Sequence, residues 1–281
     1  MFKTPFNLIS IMLNIFQKIK EKNMSQQLLT SDSKFKFDCH KGLKCFTQCC
    51  YKVNIFLTPY DILRMKNRLG MSSTEFLQKY THPLVAKNAG IPVVTLKMKN
   101  DQKNGCPFVT SNGCIIYEDR PWSCRSFPLD PVETEEAIPG NEFYHLIKRN
   151  FCQGFKEDKE WTVEEWKRDQ GMDIYDEIES PFKEITTSKV LTEAQIVNEK
   201  IQQMFYMACY DIDRFKKFIF ETKFLNIFDV EKEVIKEIKT NEIELLKFGF
   251  RWLKFGLIDQ DVLKIKPEIL KTKNKKSPST L

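Results

Sequence analysis

Residues 37–57, FDCHKGLKCFTQCCYKVNIFL, open a cysteine cluster that contains eight of the nine cysteines in the chain. Thiolates are the soft ligands that hold zinc ions and iron–sulfur clusters. The pattern therefore predicts a protein organised around a metal. The predicted ligands are a compact front block and four downstream residues: Cys39, Cys45, Cys49, Cys50, Cys106, Cys114, Cys124 and Cys152.

The redox compartment decides between metal ligation and disulfides. In a reducing cytoplasm disulfides rarely persist, and a cysteine cluster there is more often metal-binding or catalytic. The apolar N-terminal stretch is interrupted by Asn7, Ser10 and Asn14, and no small-residue cleavage site follows it, so it does not resemble a signal peptide. No segment has about 18 uninterrupted apolar residues, so no transmembrane segment is predicted. A cytoplasmic location is expected.

Residues 1–29 allow three interpretations. Apolar residues recur at helical spacing between Phe6 and Ile19, which predicts an amphipathic helix. Such a helix could make weak contact with a membrane surface through residues 5–19, or dock on the protein itself. Alternatively, translation begins at Met24 and the preceding residues are not part of the protein.

The net charge of +6 does not indicate a nucleic-acid-binding surface. Residues 261–281 carry a net charge of +4, because six lysines there face only two acidic residues. The rest of the chain carries only +2, so no basic face and no nucleic-acid partner are predicted. The lysine-rich segment 263–281 is typical of a disordered tail.

The chain pattern predicts an α+β, mainly helical fold. A small cysteine-rich metal-binding domain with short strands is expected over residues 30–160, and a helical domain over residues 161–262. The helical prediction rests on apolar residues that recur every three or four positions from Leu191 onward. Residues 130–141 contain two prolines and a glycine among acidic residues, which predicts a loop.

Helix start signals flank the cysteines. Thr58 followed by Pro59 predicts a helix that ends at Gly70. Capping boxes predict two further helices, one at Ser72 with Glu75 and one at Thr162 with Glu165. Asp61 falls in the first turn of the first helix, where negative charge is favoured; it could also approach the cysteines. The runs VNIFL and IPVVTLKM are predicted strands.

Local spacing suggests how the front cysteines are arranged. If CFTQCC is helical, Cys45 and Cys49 lie on one face, and Cys50 is rotated away by about 100°. Vicinal cysteines rarely form a disulfide with each other because the ring is strained, so ligation suits Cys49 and Cys50 better.

The downstream cysteines stand in turn-rich contexts. Backbone N–H groups in such loops can point at sulfur and stabilise a thiolate near Cys106, Cys114 and Cys124. Arg125 could stabilise a thiolate in the same way, although an arginine beside a cysteine is more often a surface or structural ion-pair residue. Cys209 is interpreted as a buried thiol of the helical core.

The metal is not fixed by the spacing. The chain has no C-x2-C motif, and eight thiols allow two four-thiolate sites, or one site with spare cysteines and a dinuclear centre as a variant. Three histidines against eight clustered cysteines favour all-sulfur ligation, and an iron–sulfur cluster is preferred weakly over zinc. His40 could be an extra ligand or an exposed turn residue. His82 is interpreted as a turn residue and His145 as a helix-surface or core residue.

The ordered series FDCHKGLKCFTQCC, LTPYDILRMKNRLG, CPFV, CIIYEDRPWSCRSFP and FCQGF resembles the YkgJ-type cysteine-cluster family, named for its CxxCxxCC motif and described as a zinc- or iron-chelating domain. The resemblance covers about residues 35–155. It implies that the motif cysteines correspond to Cys45, Cys49, Cys50, Cys106, Cys114, Cys124 and Cys152. Cys39 departs from the family spacing, because five residues separate it from the next cysteine where the family usually has two.

The predicted function is metal binding, with a cluster that is structural or redox-active. The resemblance also implies an alternative, a cluster-dependent oxidoreductase or a protein-modifying enzyme similar to flagellin lysine N-methylases. Against it, the sequence has neither a G-x-G-x-x-G loop nor a P-loop, so no nucleotide-cofactor site is predicted, and no catalytic residue is assigned. A third alternative is a helical protein-interaction module with a structural metal and an unidentified protein partner.

Overall fold

The computed structural model describes residues 28–86, 90–132, 142–188, 191 and 198–274. Helices dominate there and strands are short, which confirms the predicted α+β, mainly helical class. The α-helices of these residues are α1 (Pro59–Arg68), α2 (Ser73–Tyr80), α3 (Trp122–Ser126), α4 (Val163–Asp169), α5 (Asp173–Thr186), α6 (Glu199–Cys209), α7 (Ile212–Glu221), α8 (Phe224–Ile227), α9 (Lys232–Thr240), α10 (Glu242–Leu257) and α11 (Pro267–Asn274). None of the described helices has the length and apolarity needed to cross a membrane.

The strands form small antiparallel sheets. They are β1 (Lys34–Lys36), β2 (Phe56–Leu57), β3 (Thr81–Val85), β4 (Pro92–Leu96), β5 (Val109–Thr110), β6 (Gly113–Cys114), β7 (Leu129–Val132), β8 (Phe143–Leu146), β9 (Glu160–Thr162), β10 (Phe228–Asp229) and β11 (Lys264–Ile265). One three-stranded sheet has the order β2-β4-β3, and the two-stranded pairs are β1-β9, β5-β6, β7-β8 and β10-β11.

The chain divides into two compact units, and each unit is built from two separate stretches. The first unit is Met1–Cys45 with Ser126–Gln170, and the second unit is Phe46–Arg125 with Gly171–Leu281. The domains predicted from the sequence are continuous segments, and their boundaries stay a prediction. The division assigns three of the eight clustered cysteines to the first unit and five to the second.

The first unit has a small aromatic core. The ring of Phe37 lies 5.8 Å from that of Phe127, 5.1 Å from that of Phe155 and 5.5 Å from that of Trp166, measured between centroids. Trp166 belongs to α4, whose predicted capping box is confirmed: the Thr162 hydroxyl accepts from the N–H of residue 165 at 3.1 Å. These ring contacts, two of them edge-to-face, add to the burial that stabilises the unit.

The second unit contains the β2-β4-β3 sheet, the β5-β6 hairpin and most of the helices. Both predicted helix starts near the front cysteines are confirmed by complete capping boxes, at Thr58 for α1 and at Ser72 for α2. Gly70 follows α1 with φ +62°, a conformation that favours glycine and explains why the helix ends there. The sequence signals therefore predicted where these two helices begin to within one residue.

The helical pattern expected from Leu191 onward is confirmed in residues 198–274. Helix α10 buries Phe250 and Trp252 in the core of the second unit. At Gly249 a Cβ atom would lie 2.7 Å from the carbonyl oxygen of Ala208, so only glycine permits the close approach of α10 to α6.

Three local predictions are wrong. The CFTQCC stretch is not an α-helix, because Thr47 adopts φ 67° and is followed by a 3-10 helix over Gln48–Cys50. His82 is not in a turn but in β3, opposite Thr95; β3 is an edge strand, which tolerates the adjacent Pro83. His145 is not helical but lies in β8, since the aromatic run FYHL pairs with β7.

The predicted disordered tail is also shorter than expected. Leu263 is buried, Ile265 pairs with Phe228 in the β10-β11 sheet, and α11 extends to Asn274. Leu263 belongs to the core of the second unit, which the lysine-rich composition of the segment concealed.

Three predicted features lie wholly or largely outside the described residues. They are the amphipathic helix at residues 5–19, the tail beyond Asn274 and most of the predicted acidic loop, of which residues 130–132 belong to β7.

Candidate metal site

None of the nine cysteines is in a disulfide, and the two units hold different sets of them. The second unit contains a group that we call the five-thiol group, Cys49, Cys50, Cys106, Cys114 and Cys124. The first unit contains a group that we call the three-thiol group, Cys39, Cys45 and Cys152. Cys209 is buried in α6 among core residues, as expected.

Backbone pairing brings Cys50 and Cys106 together. The N–H of Cys106 donates to the carbonyl of Cys50 at 2.8 Å, and the N–H of Lys52 donates to the carbonyl of Asn104 at 3.0 Å. At Gly105, between them, a Cβ atom would lie 2.9 Å from the Tyr51 ring. Two stretches more than fifty residues apart are thus held edge to edge with cysteines at matching positions.

The β5-β6 hairpin places Cys114 in the same region. Cys114 is paired with Val109, whose N–H donates to the carbonyl of Cys106 at 3.3 Å. Gly113 at the turn has φ 113°, which favours glycine and lets the chain reverse directly before Cys114.

Cys124 lies in the short helix α3, which α1 anchors. The Trp122 N–H donates to Oδ1 of Asp61 at 2.7 Å, and the Arg64 Nε donates to Oδ1 of Asp119 at 2.7 Å. Trp122 also donates from its indole nitrogen to Oδ1 of Asp176 in α5, at 2.9 Å. The segment that carries Cys124 is therefore held on two sides.

The thiols of this group are close enough to affect one another's ionisation. The pKa of Cys50 is raised by a side-chain hydrogen bond with Cys49 and by burial. The neighbouring thiols of Cys49, Cys106 and Cys124 raise it further. Desolvation of the Cys124 sulfur raises its pKa, with further contributions from the other thiols and from the Asp61 carboxyl, although part of the residue reaches solvent. Without a cation these sulfurs remain protonated.

Backbone N–H groups and cations partly oppose this effect. Burial raises the pKa of Cys106 to about 11, while the N–H groups of Phe108 and Val109 and the Lys99 ammonium act to lower it. Burial likewise raises the pKa of Cys114, opposed by a backbone hydrogen bond from Ile116 and by the charge of Arg120. N–H groups that face sulfur were expected in these loops, and the turns after Cys106 and Cys114 provide them.

Arg120 is an arginine whose charge acts on a thiol, because it lowers the pKa of Cys114. Arg125 is buried and donates from its guanidinium to the carbonyls of Arg120 and Glu118, and it lies 4.7 Å from the centroid of the Tyr175 ring. These contacts give Arg125 a structural role, one of the alternatives expected from the sequence. Arg120 and Lys99 were not found from the sequence, because only the fold brings them near sulfur.

The three-thiol group surrounds one loop. The N–H of Gln153 donates to Sγ of Cys45 at 3.2 Å, and the N–H of Asp38, next to Cys39, donates to the carbonyl of Gly154 at 3.0 Å. A Cβ atom at Gly154 would lie 2.5 Å from the carbonyl oxygen of Asp38, so glycine is required for this approach. Backbone contacts therefore bring Cys39 and Cys45 to the loop that carries Cys152.

His40 is an exposed turn residue, one of the two alternatives expected. Its Nδ1 accepts from the N–H of Gly42 at 3.1 Å, and its Nε2 lies 3.6 Å from Oε2 of Glu157. His145 has a buried Nδ1 without a hydrogen-bond partner in the described structure.

The side chains present fit a thiophilic metal by their chemistry. Zinc and iron–sulfur clusters take four thiolates, and five thiols from four stretches of chain meet in the second unit. Among the described residues, however, no three His, Cys, Asp or Glu side chains stand in coordinating positions. Ligation therefore requires the thiols to move toward a common point.

Comparison with known proteins supplies one match, to a protein family. Neither a curated protein nor a solved structure matches the chain. The match covers residues 38–162, a range that contains all eight clustered cysteines. It is to the CxxCxxCC family, described as a "putative zinc- or iron-chelating domain", and it confirms the resemblance expected from the sequence.

Proposed function

We propose that the protein binds zinc or iron through the five-thiol group, Cys49, Cys50, Cys106, Cys114 and Cys124. The observation that carries the proposal is the convergence of these thiols from four stretches of the second unit, within the segment that matches a metal-chelating family. Soft sulfur ligands with no histidine among them suit iron–sulfur clusters and zinc rather than hard cations.

The electrostatics of the group support a bound cation. Four of its thiols have a raised pKa, partly because each would repel the charge of its neighbours as a thiolate. A bound metal would supply the positive charge that permits such thiols to ionise. Arg120 and Lys99 supply part of that charge and the N–H groups near Cys106 and Cys114 stabilise the sulfur.

An iron–sulfur cluster is the preferred form, with zinc as the alternative. A bound cluster would supply one-electron transfer, whereas zinc would supply a structural cross-link between the four stretches. The three-thiol group of Cys39, Cys45 and Cys152 is a second, less complete candidate, since it lacks a fourth thiol. The cysteines form no disulfide, which agrees with a reducing compartment, and we propose the cytoplasm.

The test is metal analysis of protein purified without oxygen from cells supplied with iron and zinc. We expect stoichiometric metal; an absorption band at about 400 nm that dithionite bleaches identifies an iron–sulfur cluster, and colourless protein with stoichiometric zinc identifies zinc. A variant with all five thiols of the second unit changed to serine should lose the metal. Cys209→Ser, a buried thiol outside the group, is the matched control and should keep it. Metal-free wild-type protein, or metal retained by the five-serine variant, overturns the proposal.

A further inference from the structure

Asp61 is a fully buried carboxylate that receives backbone hydrogen bonds from two different helices. Its Oδ2 accepts from the N–H of Thr58 at 2.9 Å, which completes the capping box of α1. Its Oδ1 accepts from the N–H of Trp122 at 2.7 Å, at the first residue of α3. One side chain thus joins the starts of two helices, and the second of them carries Cys124.

Helix α3 depends on such an anchor. It spans only the five residues Trp122–Ser126, and a helix of this length is not stable by itself. The bond from Trp122 to Asp61 therefore ties the start of α3 to the start of α1, alongside the contacts of Trp122 with Asp176 and of Arg64 with Asp119.

The other two capping-box carboxylates of the described helices do not have this second contact. Glu75 accepts from the N–H and hydroxyl of Ser72, and Glu165 accepts from the N–H of Thr162, each within its own cap. Both are exposed, whereas Asp61 is 0% exposed. Capping alone accounts for Glu75 and Glu165 and leaves the bond to Trp122 unexplained.

We propose that Asp61 is a positioning residue that holds the Cys124 thiol in place for metal ligation, an inference that rests on the proposed function. The requirement for two acceptor oxygens explains the choice of side chain. An asparagine has one carbonyl oxygen and a donor nitrogen, so it can satisfy either the Thr58 N–H or the Trp122 N–H, but not both.

The first measurement follows the thiols of the reduced, metal-free full-length chain. Iodoacetamide labelling, resolved by peptide mass spectrometry, gives a rate for each cysteine. In Asp61→Asn the lost buried hydrogen bond should raise the labelling rate of Cys124 by about tenfold, with the other four thiols of the group changed by less than about twofold. Glu75→Gln makes the same chemical change at the same capping position of α2 and should leave every rate unchanged.

The second measurement is the absorption of bound cobalt, a spectroscopic stand-in for zinc. The sulfur-to-cobalt band of Asp61→Asn should resemble that of Cys124→Ser, and cobalt affinity should fall by about 10–100-fold, the usual cost of losing a group that orients a ligand. Asp61→Glu keeps two acceptor oxygens on a longer stem and should show a smaller change of the same kind. It also provides the test if the asparagine variant does not fold.

Two results overturn the inference. One is an unchanged Cys124 labelling rate in both Asp61 variants; the other is an equal rise at all five thiols, which would assign Asp61 a purely structural role. The labelling rates do not depend on metal. If the wild type takes up no metal while the labelling rate of Cys124 alone rises in Asp61→Asn, the proposed function is wrong. Asp61 would then position Cys124 for a role other than metal binding.

Discussion

The two units hold their cysteines in opposite ways. In the first unit, backbone contacts bring Cys39 and Cys45 to the loop of Cys152, and one N–H, from Gln153, donates to Cys45. In the second unit, thiols from four stretches act on one another and four of them have a raised pKa. The difference teaches that the cysteines of one family segment belong to two compact units with different surroundings.

The hydrophobic cores of the two units also differ, because the core of the second unit is much larger than that of the first. Among the described residues of the first unit, the core contains seven buried hydrophobic side chains, and several of its rings pack against one another. The second unit has a continuous core that includes α1, α2, the central sheet and the long helix α10. A small core provides little stability beyond what folding requires, so a single substitution should destabilise one unit without the other.

The largest effect is expected for Phe37→Ala in the first unit. The variant removes a ring with 1% exposure that packs against three other rings, and we expect a cost of about 4 kcal/mol in the free energy of unfolding. Amide hydrogen exchange should then show lost protection in β8 and retained protection in α10. Phe250→Ala, an equally buried ring of the second unit, is the matched substitution and should reverse the pattern. Equal loss in both units would mean that they unfold as one.

The next effect tests which thiols hold metal. Cys50→Ser should weaken metal binding by about 100-fold, near 3 kcal/mol, because one thiolate of four is lost from a structural site worth about 10–16 kcal/mol. Cys39→Ser, an exposed thiol of the first unit, should leave the affinity within about twofold, the scale of an unaltered ligand set. Competition with a chromophoric chelator measures both. A larger loss in Cys39→Ser than in Cys50→Ser would assign the metal to the other unit.

Much of this arrangement was open to prediction from the sequence. Capping signals at Thr58, Ser72 and Thr162 identified three helices, because a cap is a local interaction of residues three apart. The turn at Gly113 and the glycine before Cys106 were visible in the same way. Local chemistry is readable where the partners are neighbours in the chain.

What the sequence concealed depends on distant partners. The left-handed Thr47 ends any helix through CFTQCC, yet threonine gives no local signal for that conformation. The second bond of Asp61 arises only when stretches about sixty residues apart pack together. Lys99 and Arg120 are within seven residues of the thiols they act on, Cys106 and Cys114, but the turns between them decide whether each charge lies near sulfur. The partition of the cysteines between two units could not be predicted for the same reason.

The units should also differ in their response to pH, through Glu179 in α5. Burial raises the pKa of Glu179 to about 8, helped by the carboxylates of Asp61 and Asp176 and opposed by the N–H of Tyr60, which donates to Oε1 at 2.5 Å. In the first unit, by contrast, hydrogen bonds lower the pKa of the Asp158 and Glu165 carboxyls.

A raised acid pKa means that the folded second unit holds a proton that the unfolded chain releases. Its stability should therefore fall as the pH rises from about 4.5 toward 8, by on the order of 2 kcal/mol. Glu179→Gln cannot release this proton and should lose less stability over that range, while Glu177→Gln, exposed on the same helix, should follow the wild type. Urea unfolding at pH 5 and pH 8 measures the difference. Parallel curves for the wild type and Glu179→Gln would show that Glu179 ionises normally.

The smallest effect compares one helix cap in each unit. The Thr162 hydroxyl accepts from the N–H of Glu165 at 3.1 Å at the start of α4, and the Ser72 hydroxyl accepts from the N–H of Glu75 at 3.3 Å at the start of α2. Thr162→Ala and Ser72→Ala should each cost about 1 kcal/mol, because each leaves one N–H of the first turn without its acceptor. Hydrogen exchange measures the opening free energy in each unit.

The same loss should have different consequences in the two units. Helix α4 contributes Val163 and Trp166 to the small core of the first unit, so Thr162→Ala should lower protection throughout β1, β9 and α4. Ser72→Ala should affect only the first turn of α2, because the large core holds the rest of that helix through Phe76. Thr162→Ser keeps the hydroxyl and should behave as the wild type. A purely local effect of Thr162→Ala would contradict the view that the first unit has little stability in reserve.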